Sequence, residues 1–180
     1  MLPINAHGAS RRGRGGAFFF IFRPEAGVLV IKFLHLMSLS IWVGSIVFFS
    51  FFAAPSIFKK LPREAAGDVV GDIFPKYSAV GYACGAILLV TLALMMRSDD
   101  SAGYSRPAVF IIMAGASLYS GLVVNRNAAS LKAKMRETVL AEEKDALRLK
   151  FRKVHAISSF LNMAVLASGI VFTFLIAMEL

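Results

Sequence analysis

The sequence predicts an all-α integral membrane protein: a four-helix bundle with an amphipathic interfacial helix in its first loop and an extended helix in its third. Three observations carry that prediction. The 180 residues are 57% hydrophobic and 17% charged, where soluble domains run at roughly 45–50% and about 25%. Four apolar segments reach the roughly 20 residues a helix needs to cross about 30 Å of hydrocarbon. Lipid offers no partner to an open backbone, so only helices or a closed barrel can cross it, and these segments are too long and too few for a barrel.

Taken in order, residues 1–26 form a flexible basic arm ahead of a transmembrane domain at 27–180. The arm holds Arg11, Arg12, Arg14 and Arg23 and an interfacial Phe-rich cluster at residues 18–22. Arg23, Pro24 and Glu25 end that cluster well short of the roughly 7–15 apolar residues of a signal peptide. The spans fall at 28–52, 77–96, 107–124 and 154–178. Loop 55–76 contains Pro55, Pro62 and Pro75, and between the last two Ala66, Val69, Val70 and Ile73 share a helical face opposite Asp68 and Asp72. That pattern predicts a short helix lying on the membrane surface. In loop 127–153, Leu131, Met135 and Val139 recur every fourth residue among charges, which predicts a water-exposed amphipathic helix running into the fourth span.

The first and third loops, counted as 55–76 and 126–153, hold four and nine of the twenty Lys and Arg residues. The excess places both loops in the cytoplasm and both termini outside, although the arginines before the first span pull the opposite way. The expected location is the cell (inner) membrane, multi-pass. A net charge of +9 gathered at segment ends suits anionic headgroups rather than nucleic acid, and no interleaving of aromatic and basic residues suggests strand binding. Expected partners are the lipid bilayer and a membrane-protein partner or a second copy of the chain. Cys84 is the single cysteine, so neither an intrachain disulfide nor a CxxC site exists.

Inside the spans, polar residues recur at helical spacing. His35, Ser38, Trp42 and Ser45 line one stripe of the first helix, with Gly44 beside them where a neighbour can approach closely. His155, Ser158, Ser159 and Asn162 do the same on the fourth. Polar groups at membrane depth turn toward protein or water, so both stripes are expected to face the bundle interior. Interhelical hydrogen bonding is the simplest use for them. The third span adds Ser117, Tyr119 and Ser120, followed by Asn125, Arg126 and Asn127. No Asp or Glu lies in any span, which excludes an ion relay built on buried carboxylates.

Residues 34–77, LHLMSLSIWVGSIVFFSFFAAPSIFKKLPREAAGDVVGDIFPKY, and residues 151–163, FRKVHAISSFLNM, resemble the transmembrane protein 205-like family. That family includes bacterial four-helix proteins grouped as a domain of unknown function. The resemblance implies an integral membrane protein of four helices, and family members are linked to resistance against platinum drugs. Its motif positions here are His35, Ser38, Trp42, Gly44, Pro55, Pro62, Gly67, Gly71, Phe74, Pro75, Tyr77, His155, Ser158 and Asn162. After the third span the chain reads NRNAAS, where the family tends to place a proline. The opening stretch is also weakly similar to membrane copper-resistance and haem-linked oxidase proteins, which set a histidine ahead of W-x-G.

That second similarity raises an alternative, a soft-metal (copper) or haem-binding membrane protein. The only histidines are His7, His35 and His155, too few for a dihaem protein with paired imidazole ligands. Antiparallel threading sets His35 and His155 near opposite leaflets, on the order of 15–25 Å apart, so they cannot share one haem. For copper, His35 with Met95, Met96 and Met113 gives the thioether and imidazole set that suits Cu(I), with Met37 and Met178 nearby. Methionine is also ordinary apolar filler. No GxSxG, HExxH, phosphate loop or dinucleotide fingerprint is present, so no catalytic residue and no cofactor is assigned. The reading is a small transporter-like or accessory subunit without catalytic activity.

Overall fold

The computed structural model describes residues 24–98 and 103–178; the apolar cluster and the arginines of the arm lie outside them. The described residues form four long helical rods, each long and apolar enough to cross a membrane. The first rod joins α1 (Pro24–Val47), a π-helical turn π1 (Phe48–Ala53) and α2 (Ala54–Lys60). The second is α3 (Arg63–Ser98). The third joins α4 (Ser105–Tyr119), a second π-helical turn π2 (Ser120–Val124) and α5 (Asn125–Glu137), and the fourth is α6 (Ala141–Ala177). The protein is a multi-pass membrane four-helix bundle.

Prolines set the breaks in the first half. Leu61 is extended, with φ −112° and ψ 150°, because Pro62 excludes the helical region for the residue before it. The first rod therefore ends at Lys60 and α3 starts afresh. Pro55 acts earlier: it cannot donate to the Phe51 carbonyl and would crowd it. The turn before it widens, so that the Ala54 N–H reaches Phe49 O five residues back. Between α5 and α6 the chain turns over Thr138 to Leu140, where Thr138 and Leu140 are extended. The Thr138 hydroxyl caps the Lys134 carbonyl at 2.8 Å.

Length decides what leaves the membrane. The 36 residues of α3 span about 54 Å at 1.5 Å per residue, well beyond a 30 Å hydrocarbon core. Two sequence expectations are corrected here. Residues 63–76 do not lie on the surface as a separate helix but continue the second span past Pro75, whose one missing hydrogen bond the rod tolerates. Ion pairs hold this extension upright: Asp68 binds Lys132 at 2.6 Å and also Arg136, while Lys132 donates to Gly67 O at 2.9 Å. Ala66 is fully buried at that contact face. The third-loop helix, likewise, continues the third span, and a second helix leads into the fourth. Together they form a projecting hairpin.

Within the bundle, α4 packs along α6 and α1 along α3. The core is a column of Leu39, Trp42 and Ile46 from α1, Cys84, Leu88 and Leu92 from α3, Phe110 and Met113 from α4, and Val165, Leu166, Phe172 and Ile176 from α6. The opposite faces carry exposed Phe33, Ile111, Ile112, Phe160 and Phe174, an apolar band of the kind that lipid covers. Close approach is bought by glycine at the Trp42 contact. A Cβ on Gly81 would lie 3.1 Å from indole Nε1, and one on Gly85 would lie 3.2 Å from Cη2.

Candidate functional site: a polar cavity between the spans

All four rods contribute to one small cavity near the hairpin end of the bundle. Its walls are Trp42 and Ile46 from α1, Phe74, Tyr77, Ser78 and Gly81 from α3, Ser117, Ser120, Gly121 and Asn125 from the third rod, and Asn162 and Val165 from α6. The space measures about 30 Å³, enough to hold water.

Hydrogen bonds run round this space from helix to helix. The Tyr77 hydroxyl donates to Asn162 Oδ1 at 2.6 Å, and Asn162 Nδ2 donates to Ser50 Oγ at 2.9 Å. The Ser158 hydroxyl donates to Asn125 Oδ1 at 3.2 Å. Phe49 stacks on Tyr77 with centroids 5.1 Å apart, and Phe74 meets both rings edge-on. Those rings shield the outer side of the network. Both π-helical turns sit here: Ser50 belongs to π1, and Ser120 and Gly121 to π2. A π turn rotates the residues after it relative to a regular helix, and such turns are frequent at functional sites. At Gly121 a side chain has no room, because the Tyr82 hydroxyl occupies the position of a Cβ.

A second polar group lies toward the other end of the bundle. His35 is 1% exposed, and its Nδ1 is 2.7 Å from Thr91 Oγ1. Thr91 also reaches back to Ile87 O at 2.8 Å. The imidazole lies against Phe172, with centroids 5.6 Å apart. Among the described residues, His35 Nε2 is the one buried side-chain nitrogen or oxygen without a hydrogen-bond partner. Arg106 is buried too.

The residues singled out from sequence separate into three groups. His35, Ser38 and Trp42 are buried, Ser158 is buried, and Asn162 is half-buried at the cavity. Ser45 is half-buried and bonds its own helix, donating to Trp42 O at 2.8 Å. His155 and Ser159 are exposed: His155 stacks on Phe151, and Ser159 donates to His155 O at 3.0 Å. They do not belong to the interior face. The inward line of α6 runs through Leu147, Phe151, Val154, Ser158 and Asn162, and each outward residue stands one position, about 100°, beyond it.

Gly44 also faces outward, with open space where a Cβ would lie; the close approaches use Gly81 and Gly85 instead. Among the motif prolines, Pro55, Pro62 and Pro75 are exposed and shape the backbone, whereas Phe74 and Tyr77 line the cavity. Of the proposed soft-metal set, Met113 is fully buried, Met95 and Met96 are half-buried, and Met37 and Met178 are exposed. Exposure turns Met37 and Met178 away from the imidazole. Among the described residues no group of three or more His, Cys, Asp or Glu side chains is placed to hold a metal ion. His155 lies 17 residues before Phe172, the neighbour of His35, or about 25 Å along α6.

Ser50, Ser78 and Thr91 were not picked out from sequence. Single hydroxyls in apolar runs are common, and only the packing shows which ones turn inward.

The fold and its cavity define a multi-pass membrane protein with a hydroxyl- and amide-lined space between its spans. Residues 37–137, more than half of the chain, match the family described as Domain of unknown function (DUF4149), and the chain belongs to that family. An "Uncharacterized protein" of Aquifex aeolicus (strain VF5) is 31% identical over 133 residues, covering 74% of this chain and 86% of the relative. No solved structure matches the chain. The matched region includes Trp42, Ser50, Tyr77, Ser78, Ser120 and Asn125 but neither His35 nor Asn162.

Proposed function

We propose that the protein is a small transporter-like subunit of the transmembrane protein 205-like group, seated in the inner cell membrane with its hairpin in the cytoplasm. One observation carries this reading: a cavity with hydroxyls and amides in its wall, lined by all four rods and by the second π-helical turn, with the first turn tied to its wall through Ser50 and Asn162. Pure interhelical bonding needs no such space. The reading is non-catalytic, since the cavity wall offers hydroxyls and amides but no carboxylate, imidazole or thiol to act as acid, base or nucleophile. The projecting hairpin, with Val139 95% exposed at its turn, favours a second role as an accessory subunit that docks a membrane-protein partner or another copy of itself.

The test is solute flux into vesicles reconstituted with the purified chain, followed by light scattering over water, urea, glycerol and potassium salts of small anions. Faster entry of at least one solute than in protein-free vesicles is expected, lost in Ser117→Leu, which fills the space from its half-buried wall. Rates equal to protein-free vesicles for every solute would remove the transport reading and leave the accessory role.

A further inference from the structure

Unused hydrogen-bonding groups line the cavity, and the charge around its mouth selects a ligand class; this inference rests on the cavity being a solute site, as proposed above. Asn162 Oδ1 already accepts from Tyr77, and Asn125 Oδ1 already accepts from Ser158. The hydroxyls of Ser78, Ser117 and Ser120 and the amide nitrogen of Asn125 also belong to the wall, and none of them bonds another described residue. A hydroxyl can donate one proton and an amide nitrogen two. The wall therefore has unused donors in the three serine hydroxyls and the Asn125 amide nitrogen, alongside the acceptor lone pairs that the hydroxyls also carry.

Hydroxyls can serve either sign of ion, and charge decides between them. No Asp or Glu lies in any span. Lys76 directly precedes Tyr77 and Arg126 directly follows Asn125, and both are exposed at the cavity's end of the bundle. That end, residues 53–76 and 125–153, carries thirteen basic and seven acidic residues. Low-dielectric walls focus such a field, and Lys and Arg at the mouth are how anion pathways exclude cations. A cation would meet this positive field with no carboxylate in the wall to offset it. Size sets the last limit: about 30 Å³ suits one water-sized species rather than a sulfate or phosphate.

We propose that the cavity binds a single small monovalent anion of halide size, held by the Ser78, Ser117, Ser120 and Asn125 donors and reached from the basic end. Bound there, the anion exchanges its water shell for hydroxyl and amide donors, with Lys76 and Arg126 supplying the long-range attraction.

Trp42 is the sole tryptophan and stands in the cavity wall, so its fluorescence reports occupancy directly. The full-length chain in nanodiscs of zwitterionic lipid is titrated with iodide against gluconate at constant ionic strength. Saturable quenching is expected, displaced by chloride and absent with caesium. In the Ser117→Ala/Ser120→Ala double variant the apparent affinity should fall about tenfold or more, as loss of two hydrogen bonds to a charged group requires. A Lys76→Gln/Arg126→Gln variant keeps the donors and should weaken iodide while flattening its dependence on salt. Quenching that is linear, indifferent to chloride and equal in both variants would overturn the anion site. Flux of water or urea without saturable iodide quenching would sink the anion site and leave the transport reading standing. Saturable iodide quenching without flux of any solute would do the reverse.

Discussion

Replacing Asn162 with leucine removes the residue that ties three rods together while nearly conserving volume. Asn162 joins Tyr77 on α3 to Ser50 on π1 through bonds of 2.6 and 2.9 Å. Hydrogen bonds between membrane helices average about 0.6 kcal/mol and reach about 1.7, and an unpaired hydroxyl adds a desolvation cost. Water in the cavity relieves part of that cost, so Asn162→Leu should destabilise the bundle by about 1–3 kcal/mol. Met163→Leu, one residue on and exposed, should stay within about 0.5 kcal/mol of the parent. Unfolding in mixed micelles of rising SDS content, read from Trp42 emission, measures both. Combining Asn162→Leu with Tyr77→Phe should cost less than the sum of the two changes, by roughly 0.5–2 kcal/mol, because they share one bond. Equal stability of Asn162→Leu and Met163→Leu, or strict additivity with Tyr77→Phe, would refute the network.

Gly85→Val should destabilise by about 1–3 kcal/mol through overpacking, since a Cβ there meets the Trp42 ring at 3.2 Å; Gly44→Val, with nothing within 4 Å, should be nearly neutral in the same unfolding assay. His35→Gln can keep a bond to Thr91 and should retain most of the stability, whereas His35→Ala opens a void beside Phe172 and should cost about 2–5 kcal/mol; equal losses would contradict the burial argument. Asp68→Asn should loosen the hairpin from α3 and hasten limited proteolysis near Thr138. The Lys132 hydrogen bond, with the Lys132 and Arg136 charges, holds the Asp68 carboxyl below the usual carboxylate range. Its folded-state value is thus the lower one, so the contact is at full strength above the unfolded-state value and weakens as pH falls through the folded one. Parent protein at acidic pH should therefore approach the proteolysis rate of Asp68→Asn, and a parent rate that ignores pH would count against the clamp.

Much of this architecture is legible in sequence because membrane solvation is a severe constraint. Four apolar runs had to be four helices, and the His35, Ser38 and Trp42 stripe lies inside α1 as its spacing predicts. Periodicity fixes a face but not how far along the helix that face meets a neighbour. His155 and Ser159 show this, lying just off the line that α6 turns inward. Gly44 shows the complement: a small residue permits close approach but does not attract it, and Gly81 and Gly85 took that role opposite the one tryptophan. The surface helix expected before Pro75 failed for a tertiary reason, because Asp68 has partners 64 and 68 positions away, at Lys132 and Arg136. The π-helical turns left one trace in the sequence, Pro55 behind the first of them. Nothing in the local sequence marks Ser50, Ser78 and Thr91 as inward-facing, since each is chosen by the rods that pack against it.

The central claim is that a polar cavity between the spans opens toward the basic hairpin end. Ser120→Cys in a Cys84→Ala background, treated with a small membrane-impermeant thiol reagent from each side of sealed vesicles, tests it most directly. Lys144→Cys marks the hairpin side and Ile111→Cys, 68% exposed on an outward face, marks lipid. The account predicts that Ser120→Cys reacts from the same side as Lys144→Cys and not from the other, while Ile111→Cys reacts from neither. Protection of Ser120→Cys from both sides, equal to that of Ile111→Cys, would contradict it.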